Sequence, residues 1–488
     1  MNTQLKAFRQ SFAQAKAENR ERATLVRTVK MREPFEVYQS FIHQSYPSEI
    51  ACIMESATHD GTKGRFSYVC MNGTDYTTFN TKKELGWLKE MLSRDCPPAH
   101  PTLPFVGGVV GCLTHELITL VEDTVKPHPI DPFQLPLGEL CFFADVIVFD
   151  HETQEMHYVT NVRILNKTET EAYSEGLVNL RAMERMTSHK LVKWELPLIG
   201  PIESNMTQAE YCEMVLKGKE HIDAGDVFQV VLSQRFQVSY QSHRSEGPGL
   251  SLYAKLRELN PSPFMFHMRF GQSMKGLTLL GASPEIAVHI ANREMCIRPI
   301  AGTRKRGATP PEDKLIALEL KNDPKELAEH RMLVDLARND IGRFCKADSI
   351  TIPELMQVEP YSHVMHLTSE VRGKLRDGVH PLDACLGSLP AGTLSGAPKV
   401  RALQIISELE KSRRGPYGGA FGWMTDQAIN TCIFIRSAML LKGMLCWQSG
   451  GGIVADSTPQ GEYYESLAKA LAIETALKQI GKHWKNHE

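Results

Sequence analysis

Short runs of β-type residues recur along this chain and constrain it more than any other feature. "RFSYVCMNG", "FVGGVVG", "ELCFFADVIVFD" and "EMHYVTNVRIL" all fall between residues 65 and 165. Strands dominate there, with helical spacing in "TKKELGWLKEMLSR" between them and "ETEAYSEGLVNLRAMERM" after them. A second series opens at Thr207 and Glu210, a T-x-x-E capping box ahead of a helix that Gly225 closes. "DVFQVVLSQRFQV" then reads as a strand with Phe228, Val230 and Leu232 on one face and Gln229, Val231 and Ser233 on the other. Further strands are expected at "LTLLGASPEIAVHI", "NTCIFIRSAMLL" and "MLCWQSGGGIVA", and helices at 311–340, at "APKVRALQIISELE" and from 461 to 481.

At 488 residues the chain exceeds one ordinary core, so two to four structural units or one very large α/β body are expected. Residues 1–30 read as a polar amphipathic helix or tail, 31–190 as an N-terminal region and 205–480 as a second region. The main boundary falls in "SHKLVKWELPLIGPIESNM", residues 188–206, which has two prolines and no period.

Composition excludes several classes. A net charge of -2 argues against a general nucleic-acid binder, and "RKRG" at 304–307 reads as a solvated loop. The 11 cysteines form no C-x-x-C pair, which fits a reducing compartment and neither a disulfide framework nor a zinc ribbon. The N-terminal stretch carries charges throughout and has no apolar signal core, and no run of 18 apolar residues exists. A cytoplasmic protein with no membrane span is expected.

Chemistry concentrates in a few places. Glu326 and Glu329 in "KELAEHRMLVDLARND" are three apart, as are Glu462 and Glu465 in "GGGIVADSTPQGEYYESLAKA". On a helix each pair shares a face. Four converging carboxylates would repel unless a cation sat among them, and oxygen-only ligands favour Mg²⁺, Mn²⁺ or Ca²⁺ over zinc. The bland alternative is two solvated faces with salt bridges. The glycine run Gly450, Gly451 and Gly452 fits either tight strand packing or backbone approached by a ligand. "AGTLSGAPK" at 391–399 lacks phosphate-loop spacing; it suits an anion at a helix N-terminus or an ordinary cap. His363 and His366 would face opposite sides of a strand, so at most one serves a given site. No serine-hydrolase elbow, dinucleotide fingerprint, H-E-x-x-H or cysteine-nucleophile context is present.

Six motifs in order, "PIAGTRKRG", "KELAEHRMLVDLARNDIGRF", "VEPYSHVMHLTSEVRGKL", "LPAGTLSGAPKVRA", "RGPYGGAFGW" and "GGGIVADSTPQGEYYESLAKA", resemble the chorismate-utilising enzymes over about 205–475. "IMESATHDGTKGRFSYV" resembles the family's N-terminal region more loosely, and "GCLTHE" at 111–116 departs from its usual G-Y-x-x-Y-D-like stretch. The resemblance implies an α/β (α+β) fold of two large, roughly orthogonal antiparallel sheets flanked by helices. It makes 31–190 a regulatory region and 205–480 the chorismate-binding region. It implies Mg²⁺ held by Glu329 and Glu465, with Glu326 and Glu462 beside them or acting through water. It places chorismate against Gly302, Thr303, Tyr417, Arg436, Gly450, Gly451, Gly452 and Lys469. Glu285 of "GASPE" becomes the general acid, His366 supports a later elimination of pyruvate, and Thr393 lies near the departing hydroxyl.

The resemblance also sorts the reactions. Family members that use water carry a lysine where this chain has Gln229, and those that use a covalent lysine carry it where this chain has Ala301. Ammonia therefore remains as the nucleophile, as in the anthranilate-forming members. A paralogue that stops at aminodeoxyisochorismate is the alternative, and a catalytically silent binding subunit is a further one. With no glutaminase signature here, the resemblance implies a separate glutamine amidotransferase subunit and a hetero-oligomer. It further implies L-tryptophan as an inhibitor at Glu55, Ser56, Pro263, Phe264 and Met265, from "IMES" and "NPSPFMF".

Overall fold

Among the described residues, backbone pairing gathers the strands into two sheets of 14 and 10 strands. The computed structural model of the chain describes residues 3–46, 48–57, 64–189, 198–241, 247–271, 276–360, 364–480 and 482–483. The first sheet runs from Arg22–Lys30 through Glu155–Arg163, Asp145–Asp150, Phe66–Met71, Ala51–Glu55, Phe264–Arg269, Thr278–Ser283, Ser437–Leu441 and Met444–Ile453 to Gln229–Gln241. The second runs from Ile300–Lys305 through Val364–Lys374, Glu294–Ile297, Ile286–Ala291, Ile429–Ile433, Ala420–Met424, Gly108–Leu113 and Gly138–Phe143 to Thr74–Phe79. These neighbours all pair antiparallel.

Both halves of the chain contribute to both sheets. Glu55 faces Met265 across the junction in the first, and Leu113 faces Ala420 across that in the second. Residues 190–197 of the expected boundary lie outside the described residues.

Several runs that read as single strands are split between the sheets. "ELCFFADVIVFD" becomes Gly138–Phe143 in one sheet and Asp145–Asp150 in the other. "LTLLGASPEIAVHI" divides at Pro284 and Glu285, and "NTCIFIRSAMLL" divides at residues 434–436. Strands that change sheet make the corners of such packings. Hydrophobic periodicity cannot reveal the change, because the side chains alternate on both sides of the corner.

The inner faces share one core. Phe266 from the first sheet stacks on Phe421 from the second with centroids 3.9 Å apart, among Cys52, Val110, Phe143, Met268 and Trp423. Helices cover the outer faces. Thr3–Ala17, Pro34–Gln44, Glu169–Met186, Gly247–Leu259 and Pro459–Ile480 lie over the first sheet, while Lys82–Asp95, Pro324–Gly342 and Pro381–Ser388 lie over the second.

Local signals explain most element ends. Thr207 and Glu210 form the predicted capping box, and Gly225, with φ of 80°, follows the helix C-cap at Ala224. The helix expected over 311–340 is two helices, Pro310–Asn322 and Pro324–Gly342. Pro324 cannot continue the first, and the Asp323 carboxylate caps the second by accepting from the Lys325 and Glu326 N–H groups. Phe228, read as part of the strand's apolar face, precedes Gln229–Gln241 and is 75 % exposed. Among the described residues no helix is long and apolar enough to cross a membrane.

Candidate active site

Two of the sheet-changing corners lie side by side and set the first polar groups. The Ile433 N–H donates to the Glu285 carbonyl at 3.0 Å, and the Ala282 N–H donates to the Arg436 carbonyl at 3.2 Å. Ser283 Oγ clamps the pair by donating to the Ile433 carbonyl at 2.7 Å. Arg436 takes a φ of 48°, a left-handed conformation that a non-glycine residue holds only where its surroundings impose it. Glu285 is buried, and burial pushes its carboxyl up to about 8 against the lowering pull of the Thr393 hydroxyl, the Ile300 N–H, Arg436 and Lys469. Thr393 Oγ1 lies 3.0 Å from Glu285 Oε1. A carboxyl in this state keeps its proton at neutral pH and can donate it.

The glycine run makes room for side chains. Gly450, Gly451 and Gly452 pair with Ser233, Leu232 and Val231. A Cβ at Gly450 would stand 2.1 Å from the Leu232 carbonyl oxygen. One at Gly451 would stand 2.3 Å from Glu462 Oε2, and one at Gly452 2.4 Å from Gln229 Nε2. Gly450 thus admits the neighbouring strand, while the other two admit polar side chains onto the backbone. Glu462 lies in the first turn of Pro459–Ile480 and accepts from Ser457 Oγ at 2.6 Å through Oε1; its Oε2 is buried with no partner. Two turns on, Lys469 Nζ bridges Glu465 at 2.7 Å and the Gly450 carbonyl at 3.1 Å.

The second glutamate pair faces this one. Glu329 Oε1 accepts from Gln229 Nε2 at 3.3 Å. Its carboxyl is pushed up first by burial and then by Glu326 and Glu465, and that of Glu462 by burial and then by Glu465. Glu329 and Glu462 thus each lie within electrostatic range of Glu465. Glu326 is turned aside to Arg304 Nη1 at 2.8 Å. Among the described residues no three histidine, cysteine or acidic side chains stand ready as a coordination sphere. The donor set still fits a hard cation: it is all oxygen, it includes the orphaned Glu462 Oε2, and Lys469 already places one positive charge on Glu465.

Opposite them, Gly302 takes a φ of 63°, and a Cβ there would stand 2.9 Å from Glu326 Oε2. Thr303 pairs in register with His366, whose Nδ1 lies 3.0 Å from the Gly302 carbonyl and 3.1 Å from Thr303 Oγ1. A carbonyl only accepts, so in the neutral ring Nδ1 carries the proton and Nε2 the lone pair. His363 lies outside the described residues. Tyr417 is buried under the Arg414 guanidinium, 5.5 Å from its ring centroid.

"AGTLSGAPK" does not form an anion cradle. Thr393 turns to Glu285, Ser395 Oγ donates back to the Ala391 carbonyl at 3.0 Å, and Lys399 Nζ is buried on Asp340 at 2.7 Å. Nor is "RKRG" a free basic patch: Arg304 pairs with Asp323 and Glu326, and Arg306 with Asp313. The sequence reading missed Ser457, Arg304 and Arg414 as supports of the site, since their partners lie on other elements or carry no motif.

The stretches expected to bind an inhibitor meet at a separate place. Glu55, Ser56, Pro263, Phe264 and Met265 line a cavity of about 1070 Å³, walled also by Tyr68, Pro98 and Trp423. It opens between strands of the two chain halves. The Glu55 carboxylate is already engaged, by Tyr253 Oη at 2.7 Å and by Arg257 Nε at 2.6 Å.

Comparison with known proteins gives the class of enzyme to which this paired-sheet body belongs. Residues 49–475 match the family described as chorismate binding enzyme, and the chain belongs to that family. It is 42 % identical over 397 residues to anthranilate synthase component 1 of Acetivibrio thermocellus, covering 78 % of this chain and 77 % of that protein. It is 38 % identical over 462 residues to the same component of Aquifex aeolicus, covering 90 % and 91 %. The crystal structure of anthranilate synthase component I from Streptococcus pneumoniae superposes with a TM-score of 0.74 at 32 % identity, covering 84 % of this chain and 92 % of that one. The menaquinone-specific isochorismate synthase of Escherichia coli shares the fold, with a TM-score of 0.71 at 16 % identity.

Proposed function

We propose that the chain is the chorismate-converting subunit of an anthranilate synthase: chorismate and ammonia give anthranilate, pyruvate and water. The observation that supports this reading is Glu285, a buried carboxyl that meets the Thr393 hydroxyl at 3.0 Å at a corner shared with Arg436 and that burial pushes up to about 8. It hands that proton to the departing ring hydroxyl, which leaves as water while ammonia bonds to the ring. General acid assistance of this kind contributes about 10²–10⁴-fold. Gln229, a neutral amide on Glu329, cannot deprotonate water, which favours an amine nucleophile that arrives already basic. His366, with its Nδ1 proton fixed on the Gly302 carbonyl, offers Nε2 as the proton acceptor when pyruvate is eliminated and the ring aromatises.

Arg436 and the N–H groups around Gly450, Gly451 and Gly452 would hold one substrate carboxylate, with Tyr417 packed beside it. Glu329 and Glu465, with Glu462 and Glu326 beside them, would hold Mg²⁺, which supplies charge neutralisation for the other carboxylate. A glutamine amidotransferase subunit would supply ammonia in the cell, making the working enzyme a hetero-oligomer. L-Tryptophan would bind in the cavity at Glu55, Ser56, Pro263, Phe264 and Met265, a pocket whose aromatic walls suit an indole.

Purified chain incubated with chorismate, MgCl₂ and excess ammonium chloride at a pH of about 8, where Glu285 is still partly protonated, should yield fluorescent anthranilate and equimolar pyruvate without any partner. Chorismate consumed without pyruvate would replace this reading by one that stops at the aminated intermediate. No turnover would refute it.

A further inference from the structure

Behind the site lies a buried cation that is not itself among the expected substrate contacts, yet backs one of them, Tyr417, and holds several of the site's walls. Arg414 is 2 % exposed. Its Nη1 donates to the Leu394 carbonyl at 2.7 Å, its Nη2 to the Val231 carbonyl at 2.7 Å, and its Nε and Nη2 to the Glu410 carboxylate at 2.9 and 2.6 Å. Leu394 directly follows Thr393, and Val231 lies two residues after Gln229. Glu410 in turn accepts from the Ser233 N–H and Oγ at 2.9 and 2.6 Å. The guanidinium face covers Tyr417. From the other half of the chain, Glu116 accepts the Arg414 and Gly415 N–H groups at 2.8 and 3.1 Å.

We infer that Arg414 is a positioning residue: by fixing the Leu394 carbonyl it holds the Thr393 hydroxyl on Glu285 and so sets the state of the general acid. This deepens the proposed function and rests on it only for the acid's role. A lysine cannot replace the fork. Two carbonyls and a bidentate carboxylate need planar donors pointing in fixed directions, which an ammonium lacks. Charged groups that act on Glu285 are Arg436 from its own corner and Lys469 from the helix Pro459–Ile480. Around Arg414 itself stand Glu410, Glu116 and His115, the last kept neutral by burial and by Arg414. None of these replaces the directed Thr393 hydroxyl. The hydroxyl favours the carboxylate form of Glu285, so its withdrawal raises the point at which the acid loses its proton.

The test compares wild type with Arg414→Lys and Thr393→Val. A double variant, Glu410→Gln with Arg414→Met, removes the Arg414–Glu410 ion pair as a unit and leaves Glu116 on its two backbone N–H donors, should Arg414→Lys be too unstable to purify. Infrared titration of the Glu285 carboxyl, identified by its loss in Glu285→Gln, needs no turnover and is therefore independent of whether the proposed reaction is correct. The expected result is an upward shift of about one pH unit in Thr393→Val and in the Arg414 variants. Chorismate consumption with ammonium chloride should fall about 10- to 100-fold in kcat, with KM for chorismate changed less than about threefold. Its alkaline limb should move in parallel, read as a variant-to-wild-type ratio so that ammonium ionisation cancels. A Glu285 titration unmoved in folded Arg414 variants would overturn the inference, as would one unmoved in Thr393→Val. A wild type that consumes chorismate without making anthranilate would instead overturn the proposed function and leave this comparison standing.

Discussion

Gly451→Ala should separate function from stability, in contrast to the same change one residue earlier at Gly450. The new Cβ would stand 2.3 Å from Glu462 Oε2 and 3.8 Å from Glu465 Oε1, while its neighbour at Gly450 would meet a backbone oxygen at 2.1 Å. Non-bonded carbon and oxygen need more than 3 Å, so at Gly451 the Glu462 carboxylate must retreat by about 1 Å. A side-chain end can do this by rotating away from Ser457, whereas the Leu232 carbonyl can move only with its strand. Gly451→Ala should therefore cost about 1–2 kcal/mol, mostly the Ser457 hydrogen bond, and Gly450→Ala about 3 kcal/mol or more. With about 2.1 cal/mol/K of unfolding entropy per residue over 488 residues, each kcal/mol shifts Tm by about 1 °C. The displaced carboxylate should weaken apparent Mg²⁺ affinity about 10- to 100-fold. Parallel thermal melts and Mg²⁺ titrations of chorismate turnover give the answer. A Gly451→Ala protein with wild-type Mg²⁺ dependence, or one that loses more Tm than Gly450→Ala, would refute the assignment of Glu462 to the ion.

Other expectations are as specific. Because Glu285 must be protonated to act and titrates at about 8, relative kcat should fall as pH rises through about 8, and Glu285→Gln should lose about 10²–10⁴-fold and with it that limb. The same raised carboxyl opposes folding as pH climbs from the unfolded value near 4.5 toward 8, so the Tm difference between Glu285→Gln and wild type should shift in favour of the variant across that window. Phe266→Ala removes the inter-sheet stack and should cost about 3–5 kcal/mol in a denaturant melt while leaving the Mg²⁺ dependence unchanged. Replacing Ser56 by phenylalanine should fill part of the inhibitor cavity and raise the tryptophan concentration for half inhibition at least tenfold with kcat retained. Unchanged inhibition would remove Ser56 from that site.

The site was legible where a motif carried both residue and spacing. The paired glutamates and the glycine run were visible as patterns, because helical periodicity and glycine's missing Cβ are local properties, whereas Glu285 in "GASPE" was singled out only by resemblance to the family. What stayed hidden was set by contacts distant in sequence. Nothing around Arg414 announces that its partners include Val231, 183 residues earlier, or Glu116, 298 residues earlier. The changes of sheet at Glu285 and Arg436 were hidden for a different reason: a strand that turns a corner keeps its apolar alternation. Phe228 misled because alternation alone does not say where pairing begins. The break at Pro324, by contrast, was written in the sequence as an aspartate before a proline and went unread within a longer helical span.

The sharing of both sheets by both halves has a consequence for how the chain is made. The strand Ala51–Glu55 completes its ladder only when Phe264–Arg269 arrives, and Gly108–Leu113 only when Ala420–Met424 does. At about 5–20 residues per second of synthesis, the first edge stands open on the ribosome for about 10–40 seconds and the second for about 15–60. Throughout that interval an apolar edge with unanswered N–H and C=O groups is offered to any other nascent chain. Slow or crowded translation is therefore a hazard that the pairing of these strands removes once the chain is complete.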